Sequence, residues 1–300
     1  GPTGEPGSVR PEEYAPYGVP EPEYDFDYER EAAFTPKKRR HGVSVPVIIL
    51  IVLLVGGMIF AGWQLGGILL NYHRDRSAYN DLASTVISTP PRMTIAPDET
   101  GAQETAATGA PIHVNWAELR AQNSDVIGWL YCPNTIINYP VVQTMDEEFY
   151  LDHGFDKQPN TSGTLFADFD SVAGIQLSNF IIYGHNMKDH SMFGTLTNYT
   201  DESYYTQNPV LYYLTPNQDY RIELLCAHIV ESTIDNFPTH FTNTGEYQSY
   251  LNSISSHCFW FQSQAMNTEY ELVTLSTCSY TSGYVDPRFL VHGIMIPVAE

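Results

Sequence analysis

The sequence predicts a mainly β fold: a closed β-barrel of seven to eight strands with a few helices, preceded by one transmembrane helix and a disordered N-terminal tail. Short runs of β-branched and aromatic residues, separated by turn-forming residues, fill the chain after residue 112, and a closed barrel pairs the edges of such strands. An uncharged apolar stretch from Val43 to Leu70 precedes them and is long enough to cross a hydrocarbon core about 30 Å thick. The expected segments are a tail (1–42), an anchor (43–70), a stalk or linker (71–111) and a folded domain (112–300).

The first 42 residues are rich in Pro, Glu, Tyr and Gly and show no hydrophobic periodicity. Such a composition cannot bury enough apolar surface to offset the entropy of ordering, so we expect disorder. The tail ends in the basic cluster Lys37–Arg40, and such clusters stay on the cytoplasmic side of a membrane. We therefore expect a single-pass type II protein of the cell membrane with an extracellular C-terminal domain. A cleaved signal peptide is the alternative, but its apolar region is usually only about 7 to 15 residues long.

Two helices and a linker are predicted around the start of the domain. Residues 71–86 mix polar and apolar side chains and predict a short helix that stands off the membrane, while residues 89–111 are rich in Thr, Ala, Gly and Pro and predict a linker. The segment Trp116–Ser124 predicts an amphipathic helix, with Asn115 as N-cap and Glu118 placed as in a capping box.

Eight strands and one further helix are predicted after that. The segment Gly245–Phe259 carries apolar residues on one helical face and predicts a helix before the seventh strand. The predicted strands are Val126–Tyr131, Ile136–Val142, Thr164–Phe166, Phe180–Tyr183, Val210–Leu214, Tyr220–Ile229, Glu271–Leu275 and Arg288–Ile296.

The charge balance excludes one class of partner. The net charge is −21, and the chain from residue 112 onward holds five Lys or Arg against 21 Asp or Glu. Nucleic acid requires a basic footprint, so we expect no nucleic-acid partner. The fragments Cys226-x-His228 and His257–Cys258 lack partners at zinc-site spacing, and the acidic run Asp146–Glu148 shows no ligand pattern. We predict no metal and no cofactor.

The four cysteines divide into two kinds. Cys132, Cys226 and Cys258 are interpreted as small apolar fillers, with a structural disulfide as the alternative. Cys278 ends the β-branched run Thr274–Cys278, after which the sequence turns polar, as at a strand end that opens into a loop. Because a nearby cation stabilises a thiolate, Cys278 is the candidate nucleophile.

Arg288 and His185 are the candidate partners of this thiol. Arg288 begins the strand after Cys278; its guanidinium offers a fixed fork of donors to an oxyanion, and a salt bridge with Asp286 is the alternative. His185 follows an apolar strand at a glycine corner, where an imidazolium could stabilise the thiolate and protonate a leaving amine. His292 shares a strand face with Arg288 but lies deeper, so we interpret it as structural.

These residues, in the order His, Cys, Arg, resemble the class B sortases, which are membrane-anchored cysteine transpeptidases of Gram-positive bacteria. The resemblance covers residues 112–300. Its motifs are Thr274–Cys278, Tyr183–Asp189 continuing into Ser191–Gly194, Arg288–Gly293, and the upstream segments Asn115–Leu119, Asp125–Leu130 and Asn138–Gln143.

The resemblance implies a sortase-type barrel and a catalytic triad of His185, Cys278 and Arg288. The implied activity cleaves a C-terminal sorting signal of secreted proteins through a thioacyl-enzyme and joins the new carboxyl end to an amine of a lipid-linked peptidoglycan precursor. The position of Ser279 after the nucleophile makes its backbone N–H a candidate second donor to the oxyanion. The expected substrate-binding residues are Tyr183, Asn186, Ser276, Thr277, Ser279 and Tyr284.

Three alternatives stay open from the sequence. One is a pilin-polymerising enzyme that uses a lysine amine as acceptor. Another is a membrane-tethered cysteine peptidase, in which water takes the place of the amine. The last is a non-catalytic module that binds peptide or cell wall on the same scaffold.

Overall fold

A computed structural model of the chain describes residues 44–89, 109–231, 238–283 and 285–298. The predicted disordered tail and most of the predicted linker lie outside these residues. The first element is helix α1 (Val45–Val86). Among the described residues it is the one helix long and apolar enough to cross a membrane.

Helix α1 continues well past the apolar stretch, and its last turns belong to the folded domain. Tyr79, Leu82, Ala83 and Val86 are buried in the main hydrophobic core, at the spacing that puts side chains on one helical face. Residues 71–86 therefore pack against the barrel and do not stand clear of it. A two-stranded ribbon follows, in which β1 (Ile87–Ser88) pairs antiparallel with β2 (His113–Val114).

Helix α2 (Trp116–Gln122) begins as expected and ends early. The Asn115 side chain accepts a hydrogen bond from the Glu118 backbone N–H. The reciprocal half of the capping box is absent, because the Asn115 backbone N–H donates to the Val86 carbonyl. The helix stops before Asn123, whose extended backbone directs its amide to the Tyr150 hydroxyl at 2.8 Å.

Eight strands form a closed barrel, which confirms the predicted fold class. Around the barrel their order is β11-β10-β6-β5-β4-β3-β7-β8, and β8 closes the ring by pairing with β11. A short ninth strand, β9, pairs with β8. The strands are β3 (Val126–Tyr131), β4 (Asn138–Val142), β5 (Leu165–Ala167), β6 (Asn179–Tyr183), β7 (Val210–Leu214), β8 (Tyr220–Glu231), β9 (Trp260–Phe261), β10 (Glu271–Cys278) and β11 (Pro287–Pro297).

Short helices fill the connections. Helix α4 (Thr244–Ser255) buries Tyr247, Leu251 and Ile254. The prediction that it runs to Phe259 was wrong, because the Phe259 N–H donates to the Ala227 carbonyl and leads the chain into β9. The others are α3 (Glu202–Gln207) and three 3-10 turns, Phe149–Leu151, Leu196–Thr200 and Ser263–Ala265.

The topology brings three strand termini to one rim of the barrel. Strands β6 and β10 are parallel neighbours, so both end at the same rim. Strand β11 is antiparallel to β10 and therefore begins there. Side chains just beyond β6, at the end of β10 and at the start of β11 must lie close together.

Candidate active site

The three predicted catalytic residues occupy this rim on adjacent strands. Cys278 is the last residue of β10, and Arg288 is its register partner on β11. On the other side, Ser276 pairs with Tyr183 of β6. His185 lies two residues past Tyr183, just as Cys278 lies two residues past Ser276. The register therefore places Arg288 beside Cys278 on one flank and the loop that carries His185 on the other.

Arg288 directs its fork at the sulfur. Its Nη1 donates to Cys278 Sγ at 2.7 Å, and its Nη2 donates to Asp286 Oδ2 at 3.4 Å. The Arg288 side chain is 33% exposed, so solvent screens the pair only in part. The catalytic and salt-bridge interpretations are thus compatible, because one guanidinium makes both contacts.

A backbone carbonyl orients His185. Its Nε2 lies 2.6 Å from the Leu151 carbonyl oxygen. A carbonyl oxygen can only accept, so Nε2 must carry a proton and Nδ1 is the nitrogen left to take or give one. Sequence reasoning missed Leu151, because a backbone carbonyl contributes no side-chain signal.

Three hydrogen bonds tie the His185 corner to the end of β10. The Gly184 N–H donates to the Ser276 carbonyl at 3.1 Å. The Thr277 hydroxyl donates to the Gly184 carbonyl at 2.7 Å. The Asn186 amide donates to the Cys278 carbonyl at 2.8 Å. The residues on both sides of the imidazole are therefore fixed relative to the residues that flank the thiol.

Glycine is required at position 184 by close packing. A Cβ there would lie 2.3 Å from Leu165 Cδ2 and 2.8 Å from Phe193 Cδ2. Both contacts are far shorter than a van der Waals separation. The absence of a side chain at Gly184 thus lets the corner press against the core and hold His185 at the rim.

The predicted substrate-binding residues lie in different environments: some are buried or already hydrogen-bonded, and others line a cavity. Tyr183 donates to Asp168 Oδ2 at 3.2 Å, Ser276 is 2% exposed, and Thr277 uses its hydroxyl on Gly184. Tyr284 lies outside the described residues. Two of the predicted residues, Asn186 and Ser279, line a cavity of about 340 Å³, together with Met187, Lys188, His190, Gly194, Thr197, Tyr280 and Thr281.

The role predicted for the Ser279 backbone does not fit the structure. The Ser279 N–H donates to the Pro287 carbonyl at 2.7 Å. A donor already engaged in the β10–β11 connection is not free to bind an oxyanion. Arg288 is therefore the donor that the structure places at the sulfur.

His292 lies in the core, as interpreted from its depth in the strand. It is fully buried, with Nδ1 2.9 Å from Thr274 Oγ1 and Nε2 2.9 Å from His228 Nε2. Burial, and secondarily the neighbouring His228, hold the pKa of His292 well below its ordinary value. Its ring is therefore neutral, and both of its nitrogens contact buried groups and not the thiol.

The remaining three cysteines are free thiols. Cys132 and Cys226 are buried and Cys258 is half-buried. Burial raises the pKa of the Cys132 thiol, which opposes reactivity. In the described part of the chain no group of three or more His, Cys, Asp or Glu is placed to hold a metal ion.

Comparisons with known proteins agree on one family. No protein-family model matches the chain. Sortase B of Listeria monocytogenes is 25% identical over 247 residues, which is 82% of this chain and 95% of that protein. The structure of sortase B from Bacillus anthracis in complex with AAEK1 has a TM-score of 0.62 at 25% identity, covering 76% of this chain and 99% of that one. The Staphylococcus aureus sortase B–substrate complex has a TM-score of 0.57 at 26% identity, covering 61% and 85%.

Proposed function

The chain is a class B-like sortase, a cysteine transpeptidase, and from this premise we propose that it cleaves a C-terminal sorting signal of secreted proteins and joins the new carboxyl end to an amine of a cell-wall precursor. The observation that carries the proposal is the Arg288 Nη1 donor 2.7 Å from the Cys278 sulfur. A permanent cation beside the sulfur stabilises a thiolate and remains in place for the oxyanion that follows.

The first half-reaction makes a thioacyl-enzyme. The Cys278 thiolate attacks the carbonyl carbon of the threonine in the sorting signal. A C–S bond forms, and the carbonyl oxygen becomes an oxyanion. Arg288 binds that oxyanion with the donors it directs at the thiol. As the intermediate collapses, the C–N bond breaks and His185 gives a proton to the departing amine.

The second half-reaction transfers the acyl group and restores the enzyme. An acceptor amine attacks the thioester carbonyl and gives its proton to His185, so an amide C–N bond forms and the C–S bond breaks. Cys278 leaves as thiolate, and His185 regains the proton that it donated. We propose an amine of a lipid-linked peptidoglycan precursor as the acceptor.

We also propose that the chain is anchored in the cell membrane with its catalytic domain outside. The apolar part of α1 would be the anchor (43–70), with residues 1–42 in the cytoplasm and the catalytic domain (112–300) outside. The predicted stalk (71–111) would then be short, since Tyr79, Leu82 and Val86 of this segment are buried against the barrel. The signal-bearing protein and the lipid-linked acceptor would meet at the outer leaflet.

A transfer assay tests the proposal. The full chain in detergent micelles is given quenched peptides that carry Asn-Pro-x-Thr or Leu-Pro-x-Thr type signals, with and without an added amine, and products are followed by mass spectrometry. We expect an acyl adduct on Cys278 that passes to the amine and is absent in Cys278→Ala. Three amines are compared: a glycine amine, a diamino-acid stem peptide and the lysine of a pilin-type peptide.

Other outcomes of the transfer assay would indicate other functions. Cleavage at the same rate with and without amine would indicate a cysteine peptidase. Preference for the pilin-type lysine would indicate a polymerising enzyme. No adduct with any peptide, together with Cys278 inert to alkylation at neutral pH, would overturn catalysis and favour a binding module.

A further inference from the structure

The end of helix α1 contacts one of the two segments that hold His185 and is linked to the other through Tyr139. One segment runs from the 3-10 turn Phe149–Leu151 to Thr164, and the other is the loop that follows His185. Tyr79 makes both connections: its hydroxyl binds the first segment, and its ring packs on Tyr139, which binds the second. Tyr79 is 5% exposed, so its hydroxyl and ring lie almost entirely against other protein groups.

The hydroxyl of Tyr79 fixes the first segment. It donates to the Gly163 carbonyl at 2.5 Å and lies 2.9 Å from Thr164 Oγ1. The Thr164 N–H in turn donates to the Tyr150 carbonyl at 3.0 Å. The next carbonyl along the chain, that of Leu151, accepts from His185 Nε2. The carbonyl bound by the Thr164 N–H and the carbonyl that orients the imidazole thus belong to consecutive residues.

The packing of this segment leaves little room for adjustment. Gly163 has a φ of +59°, and a Cβ there would lie 2.5 Å from the Tyr150 carbonyl and 2.8 Å from the Leu151 carbonyl. Asp75, one helical turn before Tyr79, accepts hydrogen bonds from Thr161 at 3.1 Å and Ser162 at 3.0 Å. A shift of α1 at Tyr79 would therefore move the Leu151 carbonyl.

The ring of Tyr79 supports the second segment. It packs edge-on against Tyr139, with ring centroids 5.5 Å apart, and the Tyr139 hydroxyl accepts from the Met192 N–H at 3.1 Å. Met192 holds a left-handed backbone with φ +51° and is bridged to Asn186. The adjacent Phe193 N–H donates to the His185 carbonyl at 3.0 Å.

We propose that Tyr79 is a positioning residue that sets the imidazole of His185 from the membrane-proximal helix. This inference rests on the proposed function, in which His185 transfers the proton to and from the amine. Tyr79 touches neither substrate nor thiol. It acts on the backbone that fixes Nε2, and so on where Nδ1 lies when a proton must move.

The variant Tyr79→Phe in the full chain tests this proposal, because phenylalanine keeps the ring contact with Tyr139 and removes the hydroxyl. We expect kcat for transfer to fall about tenfold with KM for the signal peptide within about a factor of two, because misplacing a catalytic group by a fraction of an ångström slows chemistry more than binding. Leu82→Ala, on the same helix, is the matched control. It should lower the melting temperature at least as much and keep kcat within about twofold of wild type when folded.

A second measurement needs no peptide. The rate of Cys278 alkylation by iodoacetamide is followed from about pH 5 to 9, the range in which imidazole changes charge. Tyr79→Phe should move the pH profile towards that of His185→Gln, while Leu82→Ala overlays wild type.

The two proposals fail in different ways. If Tyr79→Phe keeps both kcat and the wild-type alkylation profile, the positioning role is overturned, even if the variant is less stable. If wild type forms no amine-dependent product, the proposed function fails, and the alkylation comparison still decides whether Tyr79 acts on His185.

Discussion

Arg288 and Cys278 face each other in register across the β10–β11 ladder, and Arg288 Nη1 donates to the sulfur at 2.7 Å. The same guanidinium reaches Asp286 with its other nitrogen. The planar fork offers a separate nitrogen for each contact, whereas lysine has a single ammonium nitrogen.

Replacing Arg288 should therefore separate the effect of its positive charge on the rate from the effect of its planar geometry. We expect Arg288→Gln to lower kcat/KM by about 10²- to 10³-fold, the usual loss when an oxyanion donor is removed. Arg288→Lys should fall between this variant and wild type. Steady-state transfer kinetics measure both, and Arg221→Gln, which removes a surface partner of Glu223, is the control that should stay near wild type.

Gly184→Ala should damage both stability and activity. Its Cβ would overlap Leu165 and Phe193, and forced overpacking of a core usually lowers the free energy of unfolding by about 1 to 3 kcal/mol. His185 follows Gly184 directly, so a shift of the corner that relieves the overlap moves His185 as well, and transfer should slow further than the unfolded fraction explains. Urea unfolding and kinetics on the same samples measure the two effects.

The control for that variant is Gly245→Ala in α4, where the new Cβ would meet only Asn243 Oδ1 at 3.1 Å. Alanine is favoured over glycine within a helix by up to about 1 kcal/mol, so stability should hold or rise. A Gly184→Ala protein as stable and active as wild type would contradict the close packing described above.

Glu271 should make the protein less stable as the pH rises. It is buried and accepts from the Ser178 hydroxyl and the Gly174 N–H, each at 2.6 Å. Burial raises its pKa from 4.5 to about 7, although these hydrogen bonds oppose the shift. Since the unfolded state ionises first, stability is full below about pH 4.5 and is lost as the pH approaches 7, a change on the order of 3 kcal/mol at most.

Glu271→Gln removes that titration. The amide loses one acceptor, so the variant should be less stable in acid, but its deficit against wild type should shrink between about pH 5 and pH 7.5. Melting temperatures of both proteins across this range give the comparison. A deficit that stays constant or grows would show that Glu271 does not titrate there.

The buried pair His228 and His292 should act in the opposite direction. Burial lowers the pKa of His228 from 6.5 to about 4 and holds that of His292 well below its ordinary value. Both rings are neutral in the folded state, whereas the unfolded chain takes up protons below about pH 6.5, so stability is lost as the pH falls from there towards 4. His228→Gln should flatten this acid limb in thermal melts, and an equally steep limb in the variant would contradict the assignment.

The barrel could be predicted because its strands carry a local signal. Runs such as Val126–Tyr131 and Val210–Leu214 combine β-branched and aromatic residues, and the structure reproduces their bounds. The end of α4 could not be placed, because the hydrogen bond between Phe259 and Ala227 depends on a strand far away in sequence. The buried face of α1, with Tyr79, Leu82, Ala83 and Val86, had a helical spacing that could have revealed its contact with the barrel.

The candidate site also has parts that the sequence could predict and parts that it could not. Cys278, His185 and Arg288 could be proposed because each stands where a predicted strand meets a loop, and because their order and motifs resemble those of class B sortases. The Leu151 carbonyl and the occupied Ser279 N–H could not, since every residue has these backbone groups and only the tertiary fold decides which are engaged.

Strand β11 lies between β8 and β10, and it is the last strand of the chain and the one that carries Arg288. Its pairings with β8 join residues more than fifty positions apart, and contacts of such long range are slow to form. Because β11 pairs with β10 on one side and with β8 on the other, closure of the barrel fixes in place the strand that carries the guanidinium. In a folding chain, the geometry of the Arg288–Cys278 pair would therefore be complete only once β11 is docked against both of its neighbours.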